Sequence, residues 1–247
     1  MKNFTLECCV DSTTSAIEAE KGGATRLELC SNLVIGGTSP SISLFKQIRK
    51  NVNLPIRVLL RPRFGDFCYT QDEIEVLQDE IKTFVDLGAD GIVIGCLTPD
   101  GKLDMDNMQK FMELAKNTPV TLHRAFDLCE NPMKTLEQAK KLGVSTILTS
   151  GSKASALDGM EVINNLCSNA GDIEILAGAG ITSQTIKLLT EKTKLTSFHM
   201  SGKKIIQSKM EYRNKNVFMG LKGLSEYEIY QTDCEQIRLA REILEKA

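Results

Sequence analysis

The sequence predicts an α/β protein folded as a single (β/α)8 barrel of the TIM type over residues 1–247. Three observations carry that expectation. Eight short apolar runs alternate with longer amphipathic ones along the whole chain. No Pro-, Gly- or Ser-rich linker and no low-complexity stretch interrupts the alternation. The length also suits one barrel, which usually needs about 250 residues. A doubly wound sheet is the architectural alternative, but it rarely carries eight evenly spaced units in such a length.

The runs read as strands lie at 4–10, 26–30, 56–61, 91–96, 119–124, 145–149, 172–177 and 195–200. Helix signals fill the intervals. Thr70 and Glu73 form a capping-box pattern ahead of a helix that stops at Leu87-Gly88. Asn131-Pro132 places proline in a first helical turn, and that helix stops at Leu142-Gly143. Thr182 and Ser183 supply caps after the seventh strand, and a last helix runs from about 233 to 246. The segment 205–230 shows no clear period and is expected to be a lid or a self-association contact, with Tyr212, Arg213 and Met219 closing over the barrel mouth.

Strand parity predicts which side chains face the lumen, because successive residues point to opposite faces. Leu6, Cys8, Leu27, Leu29, Val58, Leu60, Val120, Leu122, Phe198 and Met200 share the face that should meet the helices. Glu7, Cys9, Arg26, Glu28, Cys30, Arg57, Arg61, His123 and His199 share the other and point inward. The chain has two histidines, and both fall near the carboxyl end of a strand, where barrels build their sites. Arg26 and Arg57 lie at the amino ends and read as structural ion partners. Glu7, Glu28, Arg61, His123 and His199 lie higher and read as functional.

Two features share that mouth. Glycine-rich turns at Gly178–Gly180 and Ser201–Gly202, after the seventh and eighth strands, allow backbone N–H groups to approach an anion. Cys9 and Cys30 end adjacent strands, so their sulfurs are expected to be neighbours. Paired thiolates suit soft Cu(I), with His123 or His199 assisting. Buried cysteine is also a common small hydrophobe, which is the plainer account of Cys8.

Composition limits the partners. A net charge of −2 gives no electrostatic reason to expect nucleic acid or an anionic membrane, and the absence of tryptophan disfavours a base-stacking surface. No apolar run reaches a membrane span. The start, MKNFTLECCVDS, reads as a strand rather than a signal peptide. Eight scattered cysteines without a CxxC pair are expected to be reduced, and the protein cytoplasmic.

The segments ECCVDS (7–12), RLELCSNLVIGGTSPS (26–41), RPRFGDFCY (61–69), TLHRAFD (121–127), AGAGI (177–181) and FHMSGK (198–203) resemble the CutC family, named for copper homeostasis. The resemblance spans about the whole chain. It implies a TIM-type barrel, a cytoplasmic location, self-association into homo-oligomers, and Cu(I) held by Cys9 and Cys30. Two departures stand out: Phe64 replaces a common glycine, and Ala179 replaces the middle glycine of the usual GGG, which restricts an anion's approach.

Three functions remain open on these residues. Copper binding explains Cys9 and Cys30. An enzyme for a small anionic or phosphorylated metabolite explains the polar mouth: Arg61 neutralises the anion, His123 and Glu28 act as acid and base, and His199 adds a second inward imidazole. In that reading Asp127 orients His123 or pairs with Arg124. The third function is a ligand sensor acting through protein contacts.

Overall fold

Eight parallel strands close into a barrel in sequence order: β1 (Thr5–Val10), β2 (Arg26–Leu29), β3 (Ile56–Leu59) and β4 (Gly91–Ile94), then β5 (Val120–Leu122), β6 (Thr146–Thr149), β7 (Glu174–Ala177) and β8 (Ser197–Met200). β8 returns to pair with β1, which leaves no open edge. The computed structural model describes residues 4–214, 216–221 and 223–247.

Several strands are shorter than the runs that announced them. Cys30, Leu60 and His123 lie just beyond the last paired residues, each held by one further backbone bond, to Val10, Val93 and Ile94. Cys30 and His123 therefore stand just past the paired sheet, while Cys9, Glu28 and His199 lie within it.

Helices occupy the intervals: α1 (Thr13–Gly22), α2 (Ile42–Asn51), α3 (Gln71–Asp86), α4 (Met105–Ala115), α5 (Pro132–Leu142), α6 (Met160–Asn169), α7 (Ser183–Lys192) and α8 (Cys234–Lys246). The caps follow the sequence. Thr70 and Glu73 exchange side-chain and backbone bonds at the start of α3, and Asn131 accepts from Lys134 N ahead of Pro132. Thr182 caps α7 with Thr185 as its reciprocal partner, and Ser183 is the first helical residue.

Parity holds around the barrel. Leu6, Cys8, Leu27, Val58, Leu122 and Phe198 are fully buried in the layer between sheet and helices, against Phe45, Phe84, Phe111 and Leu189. Each such large apolar side chain contributes about 1.5–3 kcal/mol on burial, so this layer is the main source of stability.

One element was not foreseen. At the two ends of 205–230 the chain builds an antiparallel hairpin, β9 (Lys203–Gln207) with β10 (Glu228–Thr232). Its base is tied to the barrel: Thr232 N donates to Ser15 Oγ, and Thr232 Oγ1 donates to the Ser201 carbonyl. The long connection between its strands gives no tight-turn signal, which is why the pairing was invisible in the sequence.

Candidate functional site

The lumen is polar at its base. Glu7 accepts from Arg26 Nε at 2.5 Å, and Arg26 Nη1 reaches Glu174 Oε2 at 3.1 Å. Glu174 also takes the hydroxyls of Ser197 and Thr146, and Arg57 donates to Thr121 and Thr146. Arg26 thus has the structural ion pairing expected of it, whereas Arg57 is held by threonine hydroxyls with no ion pair among the described residues. Glu7 was expected higher, but register pairs it with Arg26, so its carboxylate belongs to this lower network. Burial alone would raise its carboxyl, yet the bond from His199 and the charge of Arg26 outweigh that and hold it at about 2.

His199 joins this base to the layer above. Its Nδ1 lies 2.8 Å from Glu7 Oε1, and its Nε2 lies 3.8 Å from Glu28 Oε2. Burial disfavours the imidazolium, but Cys9, Glu28 and Glu7 more than offset it and push the histidine well above its ordinary value. Glu28 moves the other way: burial lifts its carboxyl to about 7, and its Oε1 has no hydrogen-bond partner among the described residues. Glu7, Glu28 and His199 present donor atoms within 4.8 Å of one another, which makes them a possible hard-metal group among the described residues. Glu7 already serves His199 and Arg26, so the group reads first as an ion network.

The cysteines lie at the same level. Register sets Cys9 opposite Glu28, so Cys30 is its diagonal neighbour two residues further along β2's path. Cys9 lies close enough to His199 to contribute to its raised value. Cys30 packs with Leu59 and Val93 in a small apolar cluster separate from the main core. Burial, then the nearby Cys9, pushes its thiol well above the ordinary value. Cys8 faces the helix layer instead, beside Ser201 O and Thr232 Oγ1.

Arg61 and His123 form the third part. Arg61 lies over the Phe67 ring at 4.9 Å, and the His123 ring meets Phe67 at 4.7 Å between centroids. Arg61 Nη1 and Nη2 donate to backbone carbonyls of Ile35, Gly36, Gly37 and Gly65. His123 Nδ1 accepts from Ala125 N at 3.2 Å, which leaves the ring proton on Nε2. Burial and the Arg61 charge lower this histidine to about 3, so it is neutral.

Cys9, Glu28, Cys30, Arg61, His123 and His199 all line one cavity of about 1130 Å³ at the carboxyl end of the barrel. Gly180 and Ser201 line it too. Four expectations fare differently. Asp127 does not serve His123: it pairs with Arg124 at 2.7 Å and accepts from Thr149, Ser150 and Ser152, pinning the loop after β6. Gly178 gives its N–H to the Thr149 carbonyl, so that group is not held out for an anion. Gly202 packs against Ile237 of α8. The hairpin is a wall rather than a lid: β10 lines the cavity, whereas Tyr212 and Met219 are exposed and Arg213 stacks on Tyr227. Phe67 and Glu174 were missed. Parity on β7 already put Glu174 in the lumen, while Phe67, in the loop after β3, left no periodic signal.

The sequence profile of the CutC family matches residues 4–204. The human copper homeostasis protein cutC homolog is 42% identical over 237 residues, spanning 95% of this chain and 87% of its own length. The CutC family protein of Pasteurella multocida is 42% identical over 242 residues, spanning 98% of this chain and 99% of its own. The CutC crystal structure from Streptococcus agalactiae superposes with a TM-score of 0.77 at 28% identity, covering 81% of this chain and 99% of that one. A 4-hydroxy-2-oxoglutarate aldolase structure shares the barrel alone, at 16% identity and a TM-score of 0.52 over 96% of this chain and 92% of its own. With its profile matched from β1 into β9 and relatives aligned along nearly its whole length, the chain belongs to the CutC family.

Proposed function

We propose that the protein binds Cu(I) at Cys9 and Cys30, with His199 as an adjoining donor, and serves copper homeostasis in the cytoplasm. The observation that carries this reading is the joint placement of the two thiols. Both are free, both line the same cavity, and His199, raised in part by Cys9, lines it with them. Soft sulfur donors in a low-dielectric niche suit Cu(I), which accepts low coordination numbers. The raised Cys30 thiol does not oppose this, because a metal binds the thiolate and displaces the proton. The copper homeostasis name of the human relative supports the same reading. Exposed apolar residues of the hairpin connection, Val217, Phe218, Met219 and Leu221, support homo-oligomer formation through that arm.

The test is an anaerobic Cu(I) titration of the reduced protein against a strong chelator, beside the Cys9→Ser/Cys30→Ser variant. Binding well below micromolar that vanishes in the variant is expected. Equal binding by both proteins would overturn the assignment.

A further inference from the structure

Three buried polar atoms along the cavity wall have no hydrogen-bond partner among the described residues: Arg61 Nε, His123 Nε2 and Glu28 Oε1. They come from three different strand ends, and their residues line the same cavity. A buried polar group without a partner is costly, and native proteins keep few of them. Three converging on one concavity call for a common explanation.

Charge narrows it. Among the described residues Arg61 has no ion-pair partner: the neighbouring Tyr69 phenol, pushed up by burial, is neutral, and the other titratable group acting on it is Arg63. Arg63 is itself a cation, already paired with Glu73 and Asp66. The carbonyls around Arg61 orient its guanidinium without cancelling its charge, so one positive charge remains at the wall. Of the other cations lining the cavity, Arg124 pairs with Asp127 and His199 with Glu7, while Lys203 is exposed to solvent over the Tyr230 ring. A single buried unmatched cation suits a single negative charge. Arg61 Nε and His123 Nε2 are both N–H donors and both belong to side chains packed on Phe67. Two donors held against one ring match the two oxygens of a carboxylate. Glu28, at the same cavity, offers an oxygen that takes a hydroxyl.

We infer that the barrel mouth binds a small hydroxylated monocarboxylate, its carboxylate held by Arg61 and His123 and a hydroxyl held by Glu28. The bland alternative is that Arg61 only clamps the loops at Ile35–Gly37 and Gly65. That role uses Nη1 and Nη2 and leaves both Nε and the charge unexplained. The inference does not rest on copper, since none of the three groups is a cysteine.

The experiment is isothermal titration of the full-length reduced protein with D-glycerate, with glycerol and inorganic phosphate as comparison probes. Saturable one-to-one binding of D-glycerate is expected, with no binding of glycerol and weaker binding of phosphate. Glu28→Gln and His123→Asn, each confirmed folded by circular dichroism, should weaken it at least about tenfold, or about 1.4 kcal/mol. The more disruptive Arg61→Lys should abolish it. Absence of saturable D-glycerate binding would overturn the inference, as would phosphate binding more tightly or unchanged affinity in both Glu28→Gln and His123→Asn. Retained D-glycerate binding by Cys9→Ser/Cys30→Ser keeps this outcome separate from that of the copper titration.

Discussion

Glu7 and His199 face one another across the seam that closes the barrel, Oε1 to Nδ1 at 2.8 Å, on strands whose register pairs the same two residues. This contact ties the first strand to the last and fixes the imidazole that meets Cys9. Removing the carboxylate by Glu7→Gln also strips Arg26 of its nearest anion. Breaking such a buried pair should destabilise the fold by about 3–5 kcal/mol in urea denaturation.

The same contact has a pH signature. Glu7, held at about 2, stabilises the fold above the ordinary carboxylate range and loses that contribution as pH falls toward about 2. His199 is raised, so its contribution is complete below its ordinary value of about 6.5 and is lost as pH rises through the folded value. Glu28, lifted to about 7, adds a further decline between the ordinary carboxylate range and that pH, whereas His123, lowered to about 3, favours the fold as pH rises from there toward about 6.5. The stability gap between wild type and His199→Gln should therefore be widest near pH 6 and shrink at alkaline pH. A gap that stays flat across this range would contradict the ion contact.

Neighbouring cysteines should behave differently. Cys8→Ala removes a thiol on the helix side of β1 and should leave Cu(I) affinity within about twofold, at a cost near 1 kcal/mol in stability. Cys9→Ser alone should lower the affinity by orders of magnitude. Chelator competition on the two variants distinguishes them.

Gly37 controls the Cys30 niche. It has φ +86°, and a Cβ there would lie 2.6 Å from Leu59 Cδ2 and 3.4 Å from Cys30 Cβ. Gly37→Ala should cost about 1–3 kcal/mol through backbone strain and overpacking. Displacing Leu59 should also weaken Cu(I) binding in the chelator assay, although no ligand has been changed.

The hairpin can be shortened without disturbing its pairing. Gln207 and Glu228 are opposite one another, so replacing 208–227 with an Asn-Gly turn keeps the register. The shortened protein should keep its far-ultraviolet circular dichroism and sediment as a monomer, while the full chain sediments as an oligomer. Continued self-association after the excision would contradict the role given to the arm.

Much of the barrel was legible because a strand has a period of two, which separates Cys8 from Cys9 by one residue and the whole thickness of the sheet. The same parity gathered Glu28, Arg61, His123 and His199 in one lumen. Parity does not set relative height, however. Glu7 meets Arg26 rather than the mouth because of register between two strands, and it meets His199 across 192 residues of chain. Asp127 had two local options, and the choice was made by Thr149 and Ser150 arriving from β6, which no local pattern encodes. The hairpin escaped notice because its strands sit far apart in sequence and pair outside the barrel.

The most direct test of copper at the cysteine pair is X-ray absorption at the copper edge on the reduced protein loaded with one equivalent of Cu(I). Two sulfur scatterers, falling to one in Cys9→Ser and in Cys30→Ser, are the predicted result. A shell of nitrogen and oxygen alone, or a sulfur count unchanged in both variants, would contradict binding at Cys9 and Cys30.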